Sequence, residues 1–222
     1  MKKAYKFYIE GKMEEGIKHP VYSRQVIEFV TVANEFCAFM EFAGQFKRLD
    51  FISKIQKLLP LLYLKASLIP EMESVLNEAN EKFVTEKEYD FIKDQVQTHM
   101  GELDNYSEQW DPKISGNTEP VITSISENLS DIYQDMKDLV SLYSMGTTEI
   151  MNDAVWECKM NYENYWGQIL VNALRVIHKI VTSVEELEEG GKQRDPKESN
   201  ADDIDTSNWL ISKKMKDFGD EK

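Results

Sequence analysis

The chain has 222 residues, 41% of them hydrophobic and 11% aromatic, with 10 Tyr, 10 Phe and 4 Trp, a composition that carries a sizeable core and excludes a wholly disordered chain. Forty acidic residues stand against 26 Lys+Arg, a net charge of −14, so phosphate backbones and anionic lipid surfaces are repelled. The 10 Gly and 6 Pro are too few for a loop-rich β fold.

Residues 1–20 carry Lys2, Lys3, Lys6, Lys12 and Lys18 and end at Pro20, and read as an extended leader. No long apolar run or small-residue cleavage site follows the opening lysines. A first helix is expected over 22–46, with Val26, Phe29 or Val30, Ala33, Phe36 or Cys37, Met40 and Ala43 on one apolar stripe. Asp50 can cap a second helix over 51–69. Leu58, Leu59, Leu61, Leu62 and Leu64 make that helix apolar nearly all round, which predicts burial, while Pro60 should kink or split it. The most apolar run, Leu58 to Leu64, is too short to span a bilayer and is interrupted by Pro60. Residues 71–84 read as a short helix or an ordered linker. Thr85-x-x-Glu88 is a capping box, and the helix behind it is expected to reach Glu108. Thr118 is the expected N-cap of the next helix, with Pro120 in its first turn and apolar positions from Val121 through Ile125, Leu129, Ile132, Met136 and Leu139 to Tyr143. Gly146 suits the turn that follows.

The stretch 147–184 has no proline and one glycine, Gly167. Met151, Val155, Cys158, Tyr162, Tyr165, Ile169, Ala173, Val176 and Ile180 recur at three-four spacing, which predicts one helix on the order of 50 Å long. Such a rod is covered only by other long helices. Beyond it, 185–205 is acidic with Gly and Pro and reads as a linker; 209–218, with Trp209, Leu210 and Phe218, reads as a short amphipathic docking piece. The expected fold is therefore all-α, a mostly antiparallel bundle of about five or six helices with flexible ends. The expected division is leader 1–20, single helical domain 21–184, and linker with tail helix 185–222.

The segments HPVYSRQVIEFVTVANEFCAFME, LPLLYLKASLIP, VTEKEYDFIKDQVQTHMGELDNYSEQWDP, SENLSDIYQDMKDLVSLY and AVWECKMNYENYWGQILVNALRVIH occur in this order. Together they resemble a bacterial domain-of-unknown-function family, number five thousand and sixty-three, common in Bacteroidetes. The resemblance covers roughly His19 to His178. It implies a soluble, all-helical protein and supplies no catalytic residue.

Two constellations stand out from the residues themselves. Trp156, Glu157, Tyr162, Glu163, Tyr165 and Trp166 form the densest aromatic-acidic cluster, and with His178 they could line a polar pocket for a small ligand. Packing of an aromatic stripe against neighbouring helices is the plainer use of the same residues. Asn161, Asn164 or Tyr165, Gln168, Asn172 and Arg175 follow a three-four spacing where a solvated face should be charged, so either a packed or partner-facing amide stripe or plain exposure is expected. Cys37 and Cys158 sit among apolar positions with no C-x-x-C pair, a usage that suits a reducing compartment. His178, beside Val171, Leu174 and Val181, is expected to be half-buried against a carboxylate or carbonyl. The chain contains no Glu-x-x-His, no phosphate loop, no G-x-G-x-x-G and no G-x-S-x-G. No metal or cofactor is expected. The reading that results is a non-enzymatic cytoplasmic protein acting by protein binding or self-association, through the amide stripe or the Trp209 tail, without nucleic acid or membrane. The alternative is a small enzyme or ligand-binding protein with its pocket built on Glu157, Tyr162, Glu163 and His178.

Overall fold

The computed structural model describes residues 19–76, 78–108 and 120–183. Most of the expected leader, the linker 185–205 and the tail piece 209–218 lie outside them. The elements are α1 (Arg24–Glu41), α2 (Arg48–Ser67), α3 (Glu86–Met100), β1 (Asn105–Glu108), β2 (Val121–Ser124), α4 (Ile125–Tyr143), α5 (Thr148–Asn161) and α6 (Gly167–Thr182). A π turn, Tyr162–Trp166, carries α5 into α6 without a break, so the long rod expected at 147–184 is present.

Side-chain pairings fix the directions of the helices. Glu28 meets Lys65 and Phe39 meets Phe51, so α1 and α2 run antiparallel. Tyr143 reaches Val21, and Tyr133 and Lys137 reach Glu41, which sets α4 antiparallel to α1. Tyr89 and Asn161 then reach Asp131 and Asp135 from α3 and α5. Helix α4 thus lies at the centre, against α1, α3, α5 and α6. The fold is an all-α bundle apart from the two four-residue strands.

Several boundaries differ from the sequence reading, each for a local reason. Helix α1 stops at Glu41, and a 3-10 turn Ala43–Gln45 follows. Helix α2 starts at Arg48, with Asp50 in its first turn rather than at the cap, and Pro60 neither splits nor ends it. Pro60 lies on the exposed side, where its ring meets solvent. The described residues of 71–84 form a linker with no helix. Helix α3 begins at the expected capping box but ends at Met100, and 105–108 pairs as β1 with β2, Asn105 opposite Ser124 and Glu108 opposite Val121. Val121, Ile122 and Thr123 are β-branched and favour that extended pairing over the expected first helical turn. The N-cap of α4 is therefore Ser124, which accepts from Glu127 N at 3.2 Å, and not Thr118. Buried Asp104 supports the same helix end, accepting from Ser126 N at 2.8 Å and Ser126 Oγ at 2.6 Å.

The apolar stripe of the rod is corrected past Cys158. Met151, Val155 and Cys158 are buried as expected, but the line then runs through Trp166, Leu170, Ala173, Ile177 and Ile180. Tyr165 is 51% exposed, and Ile169 and Val176 lie at the margin. The π turn moves the buried positions expected at Tyr165, Ile169 and Val176 one place along, to Trp166, Leu170 and Ile177, while Ala173 and Ile180 are buried as expected.

Candidate functional site

A clamp on the linker 70–85 shapes one side of the candidate site. Asp153, on α5, accepts from Val75 N at 2.7 Å, Leu76 N at 2.8 Å and Ser74 Oγ at 3.0 Å. Asn152 Nδ2 donates to Glu73 O at 2.7 Å. Burial opposes the charge of Asp153, but these donors outweigh it and hold the carboxyl below its usual range. The linker is thereby laid along α5, and it delivers Asn80, Lys82 and Phe83 to α4.

Beside it is a cleft of ≈ 280 Å³ lined by Lys82, Asp131, Gln134, Asp135, Asp138 and Tyr165. Asp131, Asp135 and Asp138 stand at i, i+4 and i+7 and therefore share one face of α4. Each takes a donor from the chain. Asp131 accepts from Tyr89 Oη at 2.7 Å and Tyr165 Oη at 2.5 Å. Asp135 accepts from Asn161 Nδ2 at 2.6 Å. Asp138 accepts from Phe83 N at 2.8 Å, with Lys82 Nζ 3.4 Å away. Lys82 also meets Glu157 at 3.0 Å, and Asn80 Nδ2 donates to Glu157 at 2.6 Å. Burial lifts the Asp135 carboxyl to about 6, against the pull of the Asn161 amide. Burial likewise raises Asp138, against the Phe83 N–H and Lys82. Lys82 is itself raised, because its carboxylate partners outweigh its desolvation. Burial and then Asp131 push both tyrosines upward, so the phenols stay protonated and act as donors. The cleft can hold positive charge. The hydroxyl in its lining, that of Tyr165, is donated to Asp131. Among the described residues, no three His, Cys, Asp or Glu are grouped to hold a metal ion.

The π turn positions the aromatic part. Gly167 N donates to Tyr162 O, five residues back. A Cβ on Gly167 would lie 2.4 Å from that oxygen, so glycine is required there. Trp166, fully buried, donates from Nε1 to Cys158 O at 3.1 Å and stacks on Phe29 with centroids 6.5 Å apart. The same turn carries Tyr165 to Asp131.

A second feature is the outer face of α2. Its inner line, Ile55, Leu59, Leu62 and Ala66, is fully buried. Leu61, Leu64 and Leu68 stand 42%, 53% and 49% exposed. The burial expected from the leucine run is thus corrected to half-burial. Lys65 Nζ meets Glu28 at 2.6 Å at the seam with α1. The hydrogen bond from Lys65, then that from Arg24, holds the Glu28 carboxyl down at about 2.

The DUF5063 profile, described as a domain of unknown function, matches residues 20–183. The chain belongs to the DUF5063 family. A solved relative, the crystal structure of protein BF1032 from Bacteroides fragilis, is 41% identical over 73% of this chain and 95% of its own, with a TM-score of 0.65. None of the curated proteins matches. The family description carries no activity, so residue roles in this DUF5063 domain rest on its geometry.

That geometry does not gather the residues singled out from the sequence. Glu157 faces Asn80 and Lys82. Tyr162 packs edge-on against Tyr63, at 5.2 Å, and against Trp166. Glu163 lies 3.7 Å from Lys159 on its own helix. His178 is exposed, not half-buried, and its Nδ1 lies 3.1 Å from Gln56 Nε2 rather than from a carboxylate or carbonyl. Trp156 is part-buried on α5. Of the amide stripe, Asn161 alone crosses to another helix, at Asp135. Gln168 Nε2 donates to Asn172 Oδ1 at 3.0 Å within α6, and Arg175 is exposed. Trp209 lies outside the described residues. The sequence reading missed Lys82, Asp131, Asp135 and Asp138. Their signal was available in the Asp-x-x-x-Asp-x-x-Asp spacing of 131–138.

Proposed function

We propose that this chain is a non-enzymatic, cytoplasmic protein-binding module whose partner lies along the outer face of α2. The observation that carries the reading is the exposure of Leu61, Leu64 and Leu68 along the outer side of a helix whose inner line is buried. Three leucines at i, i+3 and i+7 form a stripe of the kind that an amphipathic helix or an apolar ridge covers. Support against a site on Glu157, Tyr162, Glu163 and His178 is that these four meet four different neighbours. The low cysteine count, with Cys37 and Cys158 both free and buried, suits a reducing compartment. No helix among the described residues is long and apolar enough to cross a membrane.

The test is Leu64→Asp in the full chain, at a position exposed enough to leave the fold intact. Sedimentation velocity and affinity purification from the native cell, each against the unaltered chain, measure the effect. A charge in the centre of the stripe should abolish the association. Unchanged sedimentation together with unchanged co-purifying proteins would refute the reading.

A further inference from the structure

The outer face of α2 carries charge as well as leucine. Lys54, Lys57, Leu61, Leu64 and Leu68 follow one another at three-four spacing and are all exposed, so they form one stripe. It runs about 21 Å, or about four turns, with its cations at one end and its leucines at the other. Helix α2 holds Arg48, Lys54, Lys57 and Lys65 against Asp50 alone. The pairs Gln56–His178 and Tyr63–Tyr162 lay α6 antiparallel beside it, and α6 has Arg175 and Lys179 with no acidic residue. Each of the other four helices has more acidic than basic residues, in a chain of net charge −14. Lys65 meets Glu28, whereas Lys54 Nζ rests 4.1 Å from the centre of the Phe46 ring. We propose that the partner of this face is an acidic amphipathic helix, with apolar residues over Leu61, Leu64 and Leu68 and carboxylates over Lys57 and Lys54. The proposal rests on the partner reading given above and names that partner's chemistry.

Charge complementarity selects this occupant over the others. Exposed charges more than about 8 Å apart are largely screened at physiological ionic strength. A single helix laid along α2 therefore meets Lys54 and Lys57 and not the net charge of the chain. A flat anionic lipid surface meets the whole side of the bundle, including α1, which holds Glu28, Glu35 and Glu41 against Arg24. A second copy set α2 to α2 brings two net-positive helices together. An acidic helix satisfies both ends of the stripe: its apolar line covers the leucines, and its carboxylates meet the cations.

The probe is a labelled, alanine-rich synthetic helix of ~20 residues, long enough to hold helical structure, with three leucines and two glutamates at the spacing of the stripe. Its twin has lysines in place of the glutamates. Fluorescence anisotropy with the full chain should give at least ~10-fold tighter binding of the glutamate peptide at low salt, with the gap narrowing as salt is raised. Lys54→Glu combined with Lys57→Glu, both at exposed positions, should reverse the preference, and Leu64→Asp should weaken both peptides. Lys87→Glu, exposed on α3, alters the net charge away from the face and should leave the preference as it was. Equal binding of the twins, no binding of either at ~1 mM, or reversal by Lys87→Glu would overturn the proposal. So would binding of the chain to phosphatidylserine–phosphatidylcholine vesicles that needs Lys54 and Lys57 while neither peptide binds, and the occupant would then be lipid. If the twins bind equally but Leu64→Asp abolishes native association, the partner reading stands without its charge. If the glutamate peptide is preferred while Leu64→Asp leaves native association intact, the acidic-helix site stands and the partner reading falls.

Discussion

Gly167→Ala sets two physical effects against each other. Gly167 has φ −60° and ψ −39°, ordinary helical values. On propensity alone, alanine in that conformation should stabilise the chain by ~1 kcal/mol. The contacts predict the opposite. The new Cβ would stand 2.4 Å from Tyr162 O and 2.9 and 3.0 Å from two carbons of the Tyr162 ring. That oxygen accepts the Gly167 N–H, so the backbone cannot retreat without opening the bond that closes the π turn. Overpacking costs ~1–3 kcal/mol, and a backbone oxygen that cannot swing aside places this site at the upper end. Setting the propensity gain of ~1 kcal/mol against a loss of ~3 leaves a net destabilisation of ~2 kcal/mol. For a domain of this size that lowers Tm by ~4–8 °C. Urea unfolding followed by far-UV circular dichroism measures it. The near-UV band should also change, because relaxing the turn to α-helix would rotate Trp166 off Phe29. A variant as stable as the parent, with the same near-UV spectrum, would refute the claim that the turn depends on glycine.

Lys137→Met removes the buried cation from Glu41, whose carboxylate it meets at 2.6 Å with both side chains at most 5% exposed, while Tyr133 Oη remains a donor. The expected loss is ~3–5 kcal/mol by urea unfolding, and adding Glu41→Leu should recover much of it. A single variant within experimental error of the parent would contradict this. Asp135 has a folded pKa of about 6, above its ordinary 3.8. The native state therefore binds the extra proton between those values, and this group's contribution falls as pH rises from 4 to 6. Asp135→Asn keeps an acceptor for Asn161; it should match the parent near pH 4 and exceed it by up to ~3 kcal/mol at pH 7.5. A variant less stable than the parent at pH 7.5 would reverse the sign and sink the argument. Asp153→Ala leaves the N–H groups of Val75 and Leu76 without their acceptor. Limited proteolysis should then cut first within 71–84, with a stability loss of ~1–3 kcal/mol; an unchanged cleavage pattern would count against the clamp.

What the sequence showed and hid follows from the range of the interactions involved. The Thr85–Glu88 capping box is complete within four residues and was legible as such. The stripe from Val26 to Ala43 was legible because each residue is placed by helical period alone. The acceptors that decide the other boundaries come from a distance. Asp104 supports a helix 22 residues later, and Asp153 fixes a linker nearly 80 residues earlier. The π turn left a trace, three successive steps of four through Cys158, Tyr162, Trp166 and Leu170. A strict three-four reading passed over it and chose Tyr165 and Ile169 instead.

The larger lesson concerns which helix is surrounded. Composition favoured burial of 51–69, because leucine nearly encircles it. The centre belongs instead to α4, whose buried residues include Ser126, Asn128, Ser130, Lys137 and Asp138. A central helix must satisfy its polar groups from several neighbours at once, and for all of these but Ser130 α4 has them in Asp104, Glu41, Phe83 N and Tyr106. Helix α2 has few such obligations, and its close partners are α1 and α6. It can therefore sit at the edge of the bundle with its leucines half covered. Apolar content reports how much surface a helix would gain by being covered. It does not say whether this domain or another protein provides the cover, and that difference makes the edge helix the place to look for a partner.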